Sequence, residues 1–179
     1  MDFSQAERLG FCQAYVHFWS YKNSTQSPQE LYTAAERLLK GCREHFRAGI
    51  TRLKRSALII PPEKADLFET MAMGLLDLST VEQFLAQAAI LERIFPSITL
   101  WIRWWMQPGP SSMLFSSYRT MDPVLWTSLP DTTNAEEAMH SRIYHAVGKS
   151  KPLLEGLEGM LQFILLQEKK IIARTGKFV

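Results

Sequence analysis

The stretch Leu129-Pro-Asp-Thr-Thr-Asn-Ala-Glu-Glu-Ala-Met-His-Ser-Arg-Ile-Tyr144 predicts the start of a well-capped helix. Pro130 ends whatever precedes it, and the four polar residues that follow can accept from the free N–H groups of a first helical turn. Thr133-x-x-Glu136 and Asn134-x-x-Glu137 both have the spacing of a capping box, and Gly148 suits the position after the last turn. Spacing alone therefore indicates a capped helix.

The rest of the chain shows the same helical pattern, with apolar residues spaced three and four apart between capping signals. Almost no alternating strand pattern is present, so we predict an all-α fold of six or seven helices. The segment 113–129 contains a proline and turn residues, and we expect it to be irregular. The other predicted helices span residues 4–21, 27–56, 63–78, 79–94, 98–106 and 150–176. Ser27 to Glu30 and Ser79 to Glu82 have capping-box spacing, residues 108–112 form a break, and Gly176 ends the last helix.

Composition limits the class of protein. The chain has 179 residues, of which 46% are apolar and 21% are charged, which is ordinary globular usage and long enough for one domain. A net charge of +2 gives no strong overall field toward nucleic acid, so any basic surface must be local. Two cysteines make no disulfide framework, which favours an intracellular setting. We expect no membrane span and no signal peptide.

The central stretch also resembles a known motif. Thr132-Thr133-Asn134-x-x-Glu137-x-x-His140 resembles the Thr-Thr-Asn-x-x-Glu-x-x-Asn signature of Mutator-type transposases, and the longer stretch is similar to transposase-like proteins of fungal genomes. In that family the Glu is the third acid of an Asp-Asp-Glu metal site. The resemblance implies Glu137 as a catalytic acid supported by Asn134 and His140, with the neighbouring Glu136 left open as the alternative.

Two further segments resemble the same family. Asp2-Phe-Ser-Gln-Ala-Glu-Arg-x-Gly-Phe is similar to the segment around the second catalytic Asp, which implies Asp2 as that acid. A Cys-x-x-His pair between the second Asp and the Glu is typical of these transposases, and here it is Cys42-x-x-His45. The family fold is RNase H-like with a helical insertion, so the resemblance implies that the strands carrying the first Asp are missing from this chain.

The resemblance also implies a cofactor. In the family, two divalent cations activate the attacking oxygen and stabilise the leaving oxygen at a phosphodiester, and Mg²⁺ or Mn²⁺ would be held by Asp2 and Glu137. We do not expect zinc at Cys42 and His45, because a structural zinc needs about four ligands and this pair supplies two. The common alternative is a buried cysteine beside a hydrogen-bonded histidine.

Basic and aromatic residues offer two more candidate contacts. A basic cluster is the candidate for binding DNA phosphates, although a solvated helix face is the more common reason for such a pattern. The three tryptophans at 101, 104 and 105 could stack on a base, but their helical spacing favours the core. The basic cluster consists of Arg43, Arg47, Arg52, Lys54 and Arg55.

We therefore predict the helical C-terminal piece of a Mutator-like transposase, as one domain with insertion-like helices over residues 1–128 and the last catalytic helix over 129–179. It would be inactive alone and intracellular, and nuclear if the organism is a eukaryote. Its expected partner is transposon-end DNA, with a homo-oligomer as an option. We expect no small-molecule substrate. The alternative is a non-catalytic helical module that binds DNA or protein. A large exposed apolar patch would mark a fragment, and a sealed surface would favour a module that stands alone.

Overall fold

The computed structural model confirms the all-α class across the residues that it describes, which are 3–22, 25–132 and 134–176 without the side chains of 135–137 and 175. Three short 3-10 turns, at Pro62–Lys64, Leu75–Asp77 and Pro96–Ile98, flank the middle helices. The ten α-helices of the described residues are α1 Gln5–Tyr21, α2 Pro28–Glu36, α3 Arg43–Lys54, α4 Ala65–Gly74, α5 Val81–Ile94, α6 Thr99–Trp105, α7 Pro108–Leu114, α8 Pro123–Ser128, α9 Asn134–Val147 and α10 Leu153–Thr175.

The number of helices exceeds the prediction in part because one predicted helix is broken by tertiary contacts. Residues 27–56 form α2 and α3 rather than one helix. In the break, the Gly41 N–H donates to the Met113 carbonyl at 2.8 Å, so this backbone pairs with α7 instead of continuing the helix. A Cβ at Gly41 would collide with the Phe3 ring, so glycine lets this ring pack against the backbone without shifting.

Two short helices occupy segments that were predicted to be a break and an irregular region. Helix α7 begins at Pro108, and Pro110 still lies in its first turn, where a missing N–H costs no intrahelical hydrogen bond. Helix α8 begins at Pro123 and is capped by Asp122, whose carboxylate accepts from the backbone N–H groups of Val124 and Leu125 at 2.9 and 3.0 Å. Proline here starts helices rather than ending them.

Most of the predicted caps are confirmed. Ser27 and Glu30 form a complete capping box at α2, and Gly176 ends α10 in the left-handed conformation. Gly148, with a φ of 89°, follows α9 and donates its N–H to the Tyr144 carbonyl at 2.9 Å. The box predicted for Ser79 and Glu82 is wrong, because Thr80 and Gln83 form it one residue later. The residue before α9 lies outside the described part of the chain.

The chain folds as two compact units, Met1–Thr133 and Asn134–Val179. The boundary falls inside the signature stretch, close to the predicted division after residue 128. The assignment of one domain stays a prediction.

The core of the first unit is built around aromatic residues. Phe46 on α3 is fully buried, stacks on Trp101 at 5.3 Å and meets Trp105 and Phe115 edge-on. Phe84 on α5 packs against Phe115 at 4.6 Å. Such rings bury large apolar areas, so α3, α5 and α6 are held together mainly by aromatic packing.

A buried lysine fastens the start of the signature stretch to the N-terminal end of α3. The Lys40 ammonium donates to the carbonyls of Trp126 and Leu129 at 2.7 and 2.8 Å and lies 2.8 Å from the Asp131 carboxylate. Asp131 was considered as a helix cap, but its carboxylate faces Lys40 and, at 3.5 Å, Arg43. The Arg43 N–H also donates to the Asp131 carbonyl at 2.8 Å. A buried charge needs this complete set of acceptors.

Replacing Lys40 with methionine keeps the apolar stem but removes the charge. We expect the free energy of unfolding to fall by about 2–4 kcal/mol, because two carbonyls and a carboxylate lose their donor. Urea unfolding measures this loss, and Lys64→Met, at an exposed site, is the matched control. An equal effect of both substitutions would contradict the structural role of Lys40.

Asp131 makes the stability depend on pH. Burial works to raise the pKa of its carboxyl, but the hydrogen bond and charge of Lys40, with the charge of Arg43, hold that pKa below its ordinary value. A lowered folded-state pKa stabilises the protein above the unfolded value of about 4, and this stabilisation is lost as the pH falls through the folded value. We expect the stability difference between the wild type and Asp131→Asn, measured by urea unfolding, to shrink below about pH 4. A constant difference from neutral pH downward would rule out this contribution.

Candidate nucleic-acid interface

The structure describes only some of the predicted catalytic residues. Asp2 lies outside the described residues, and Glu136 and Glu137 lie on α9 with side chains that are not described. Asn134 and His140 are exposed on the same helix. The pairing of Asp2 with Glu137 therefore stays a prediction.

The Cys-x-x-His pair lies at the start of α3. Cys42 is buried at the N-cap position and makes no side-chain cap hydrogen bond, while His45 is half-buried one turn later. Within residues 3–22, 25–132 and 134–176, no group of three or more His, Cys, Asp or Glu side chains could hold a metal ion. The described side chains thus do not themselves form the metal site that the resemblance implies.

The five predicted DNA-binding cations all lie on α3 or at its end, but they differ in what they contact. Arg43 pairs with Asp77 at 2.9 Å and with Asp131, and Lys54 pairs with Asp66 and Glu69. These two residues stabilise the fold.

The other three members of the cluster, Arg47, Arg52 and Arg55, are exposed. Arg47 has Glu44 within 3.7 Å on the same helix, an exposed pair that contributes little. The guanidinium Nε of Arg52 donates to the Ala48 carbonyl at 3.2 Å, a bond in which its other N–H groups take no part. The outer face of α3 therefore carries three arginines that can contact phosphate.

An aromatic cleft lies between α3 and α6 beside this basic face. It has a volume of about 360 Å³ and is open to solvent. Three tryptophans of α6, at 101, 104 and 105, form most of the apolar wall, while His45 and Arg52 supply the polar groups. The remaining lining residues are Phe3, Gly49 and Leu53. Residues from three separate sequence predictions, the Cys-x-x-His pair, the basic cluster and the tryptophan group, thus meet at one site.

The tryptophans of the cleft differ in burial. Trp105 is buried and Trp101 packs against the core, as predicted for the whole group. Trp104 is 41% exposed, so the core prediction is wrong for this residue. Its ring stands edge-on to Trp105 at 4.7 Å, which fixes its position while one side stays accessible.

Gly49 lets α6 approach α3 at this point. A Cβ there would lie 3.2 Å from the Trp101 ring nitrogen, closer than most such contacts. The floor of the cleft thus depends on a residue without a side chain. The aromatic wall lies beside the Arg52 guanidinium, and this combination suits a ligand with a planar ring and a nearby negative charge.

Three residues that line the cleft, Phe3, Gly49 and Leu53, were not predicted as part of a site, and neither was the structural role of Lys40. Lys40 was not included in the basic cluster, because a lysine within a helical pattern is normally solvated and nothing local indicated its buried acceptors. Phe3 was considered only as part of the segment around Asp2. The i, i+3, i+4 spacing of the tryptophans did indicate a shared helix face.

Comparison with protein-family models, with curated proteins and with solved structures found no match for this chain. No single helix of the described residues is long and apolar enough to cross a membrane, although one pair bent by 119°, Val81–Ile94 with Pro96–Trp105, meets the criteria of length and composition.

Both cysteines should be unreactive in the native protein. Cys12 and Cys42 are 0% and 2% exposed, and burial, with the charge of Glu36, raises the pKa of the Cys12 thiol, which lowers its thiolate fraction. We expect a disulfide reagent to modify both at least about 100-fold more slowly in the native than in the denatured protein, with no change after a chelator is added. Acceleration at Cys42 by a chelator would instead indicate a bound metal.

Proposed function

We propose that this chain derives from a Mutator-like transposase and binds DNA through the outer face of α3 and the adjoining aromatic cleft, without cutting DNA on its own. The proposal is supported by one observation above all. Exposed Arg52 and half-exposed Trp104 lie on the same open cleft, so a phosphate and a base could be contacted together.

The chemistry of this surface fits nucleic acid that is at least partly single-stranded. Exposed arginines neutralise phosphates, and each contact makes the affinity fall with salt. A base that is not held in a duplex can stack on a fixed indole ring, an interaction worth about 1–3 kcal/mol per base. Trp104 is fixed by Trp105 and by Phe3, whose ring lies 6.4 Å away, so little conformational entropy is lost on stacking.

The resemblance to the catalytic motif supports common descent with these transposases, but not catalysis by this chain alone. The acid on α9 would need partners from an RNase H-like sheet, and Mg²⁺ or Mn²⁺ would be bound there only when those acids come together. The signature stretch has a second use in this chain, since Leu129 and Asp131 anchor to Lys40. If the source organism is a eukaryote, a protein of this function would act in the nucleus.

A second candidate function is a helical module that binds protein. It is favoured by the leucines on α10, several of which are more than half exposed. DNA binding by the first unit and protein binding by the second are compatible with each other.

DNA binding is tested by fluorescence anisotropy with labelled single-stranded and duplex oligonucleotides at low salt. We expect the triple variant Arg47→Ala, Arg52→Ala, Arg55→Ala to lose at least about tenfold in affinity, and its salt dependence to weaken by roughly 0.7–0.9 log units per lost phosphate contact. Trp104→Ala should weaken binding to single strands by about 5- to 150-fold and leave duplex binding nearly unchanged.

The matched control removes three exposed cations from other parts of the first unit, in the variant Lys64→Ala, Arg93→Ala, Arg119→Ala. It changes the net charge equally, so an equal loss would mean non-specific attraction and contradict the proposed face. No binding at low salt would remove the proposal altogether. A strand-nicking assay with Mg²⁺ or Mn²⁺ forms the second arm, and cleavage that is lost in Glu137→Gln would show that the chain is an enzyme after all.

A further inference from the structure

The second unit consists of α9 and α10, and α10 leaves an apolar face exposed, which Glu168 interrupts near its C-terminal end. Its members repeat every three or four residues, which places them along one side of the helix. Leu153 and Leu154 are 80% and 69% exposed, and the others are between 41% and 56% exposed. The members are Leu153, Leu154, Leu157, Met160, Leu161, Ile164, Leu165 and Ile171.

Helix α9 packs on a different side of α10. Gly159 lies against Val147, so close that a Cβ at this glycine would come within 2.8 Å of the Val147 side chain. Gly156, Gly159 and Phe163 on this contact side are half-buried, while the exposed apolar face lies on another side of the helix. An exposed apolar face of this kind on a helix commonly marks a protein interaction site.

The charges of α10 are unequally divided along its length. Its first half carries two acids, Glu155 and Glu158, and no base. Its second half carries three bases and one acid, namely Lys169, Lys170, Arg174 and Glu168. A copy of the same helix laid antiparallel would bring the acidic half of each beside the basic half of the other, and would also oppose the two helix dipoles.

The positions of two charges make this pairing specific. Glu158 and Lys169 are eleven residues apart, close to three full turns, so both project from the same flank of the exposed apolar face. Their midpoint lies beside Ile164, close to the middle of the face that extends from Leu153 to Ile171. In an antiparallel pair each flank meets the same flank of the partner, which places Glu158 of one copy near Lys169 of the other, twice in each dimer.

We propose that the exposed face of α10 binds a second copy of this chain, with the two helices antiparallel and related by a two-fold axis near Ile164. Leucines and isoleucine form the centre of the interface, and the two Glu158–Lys169 pairs set its direction. A parallel arrangement would place like charges together at both ends. This dimer does not depend on DNA binding by the first unit.

The apolar contact is tested with the full chain by sedimentation velocity over a concentration range of roughly 1 to 100 µM. We expect a dimer at the upper end, and Leu157→Asn should raise its dissociation constant at least about tenfold. Leu166→Asn is the matched control, because Leu166 is also about half exposed (50%) but lies nine residues from Leu157, on the opposite side of the helix. It should change the constant by less than about twofold. Circular dichroism confirms that helix content is retained.

Exchanging the charges at positions 158 and 169 tests whether the two α10 helices are antiparallel, and it leaves the apolar residues unchanged. Glu158→Lys and Lys169→Glu should each weaken the dimer, because like charges then face each other, and the double exchange should restore it to within about threefold of wild type. A monomer over the whole concentration range would overturn the proposal and mean that another protein, or a sheet, covers this face. A dimer that responds equally to Leu166→Asn, or single charge variants without rescue by the double exchange, would also overturn it.

Discussion

The ammonium group of Lys40 is the constraint on which the arrangement of the first unit depends. Its side chain is only 6% exposed, so the charge has lost most of its water and must be matched inside the protein. The matching groups come from α8 and the three residues after it. The path of residues 129–131 and the lowered pKa of Asp131 both follow from satisfying this one group.

The same network decides which cations are available for a partner. Arg43 is drawn into the Lys40–Asp131 contact and into an ion pair with Asp77, so it serves the fold. The remaining arginines of α3 lie on the side away from Phe46 and the core. A chain with a small net charge can thus present a local basic face, because part of its positive charge is neutralised internally and the rest is concentrated on one helix.

Local sequence signals predicted the elements that are stabilised locally, and failed where distant residues decide. The Ser27–Glu30 box and Gly176 act within a single turn, so their types and spacing were sufficient. The break at Gly41 depends on Met113, more than seventy positions away, and was invisible in the local pattern.

The candidate site shows the same division. The residue types of the aromatic cleft were recognised from their spacing, but their meeting was not, because it needs the packing of α6 on Gly49. The pairing of Lys54 with Glu69, and of Arg43 with Asp77, likewise depends on how α4 and the 3-10 turn after it lie against α3. From the sequence alone, which does not show these contacts, the five residues of the basic cluster could not be distinguished.

The Lys40 contact also has a consequence for the order of folding. Its hydrogen bond to Leu129 joins residues 89 positions apart, and closing so long a loop costs entropy that only the finished core between them can offset. We therefore expect this contact to form after the main folding barrier has been crossed. Interactions that are absent from the transition state slow unfolding rather than speed folding. The buried ammonium would then act chiefly on the lifetime of the native state, because its contacts form late in folding and must break early in unfolding.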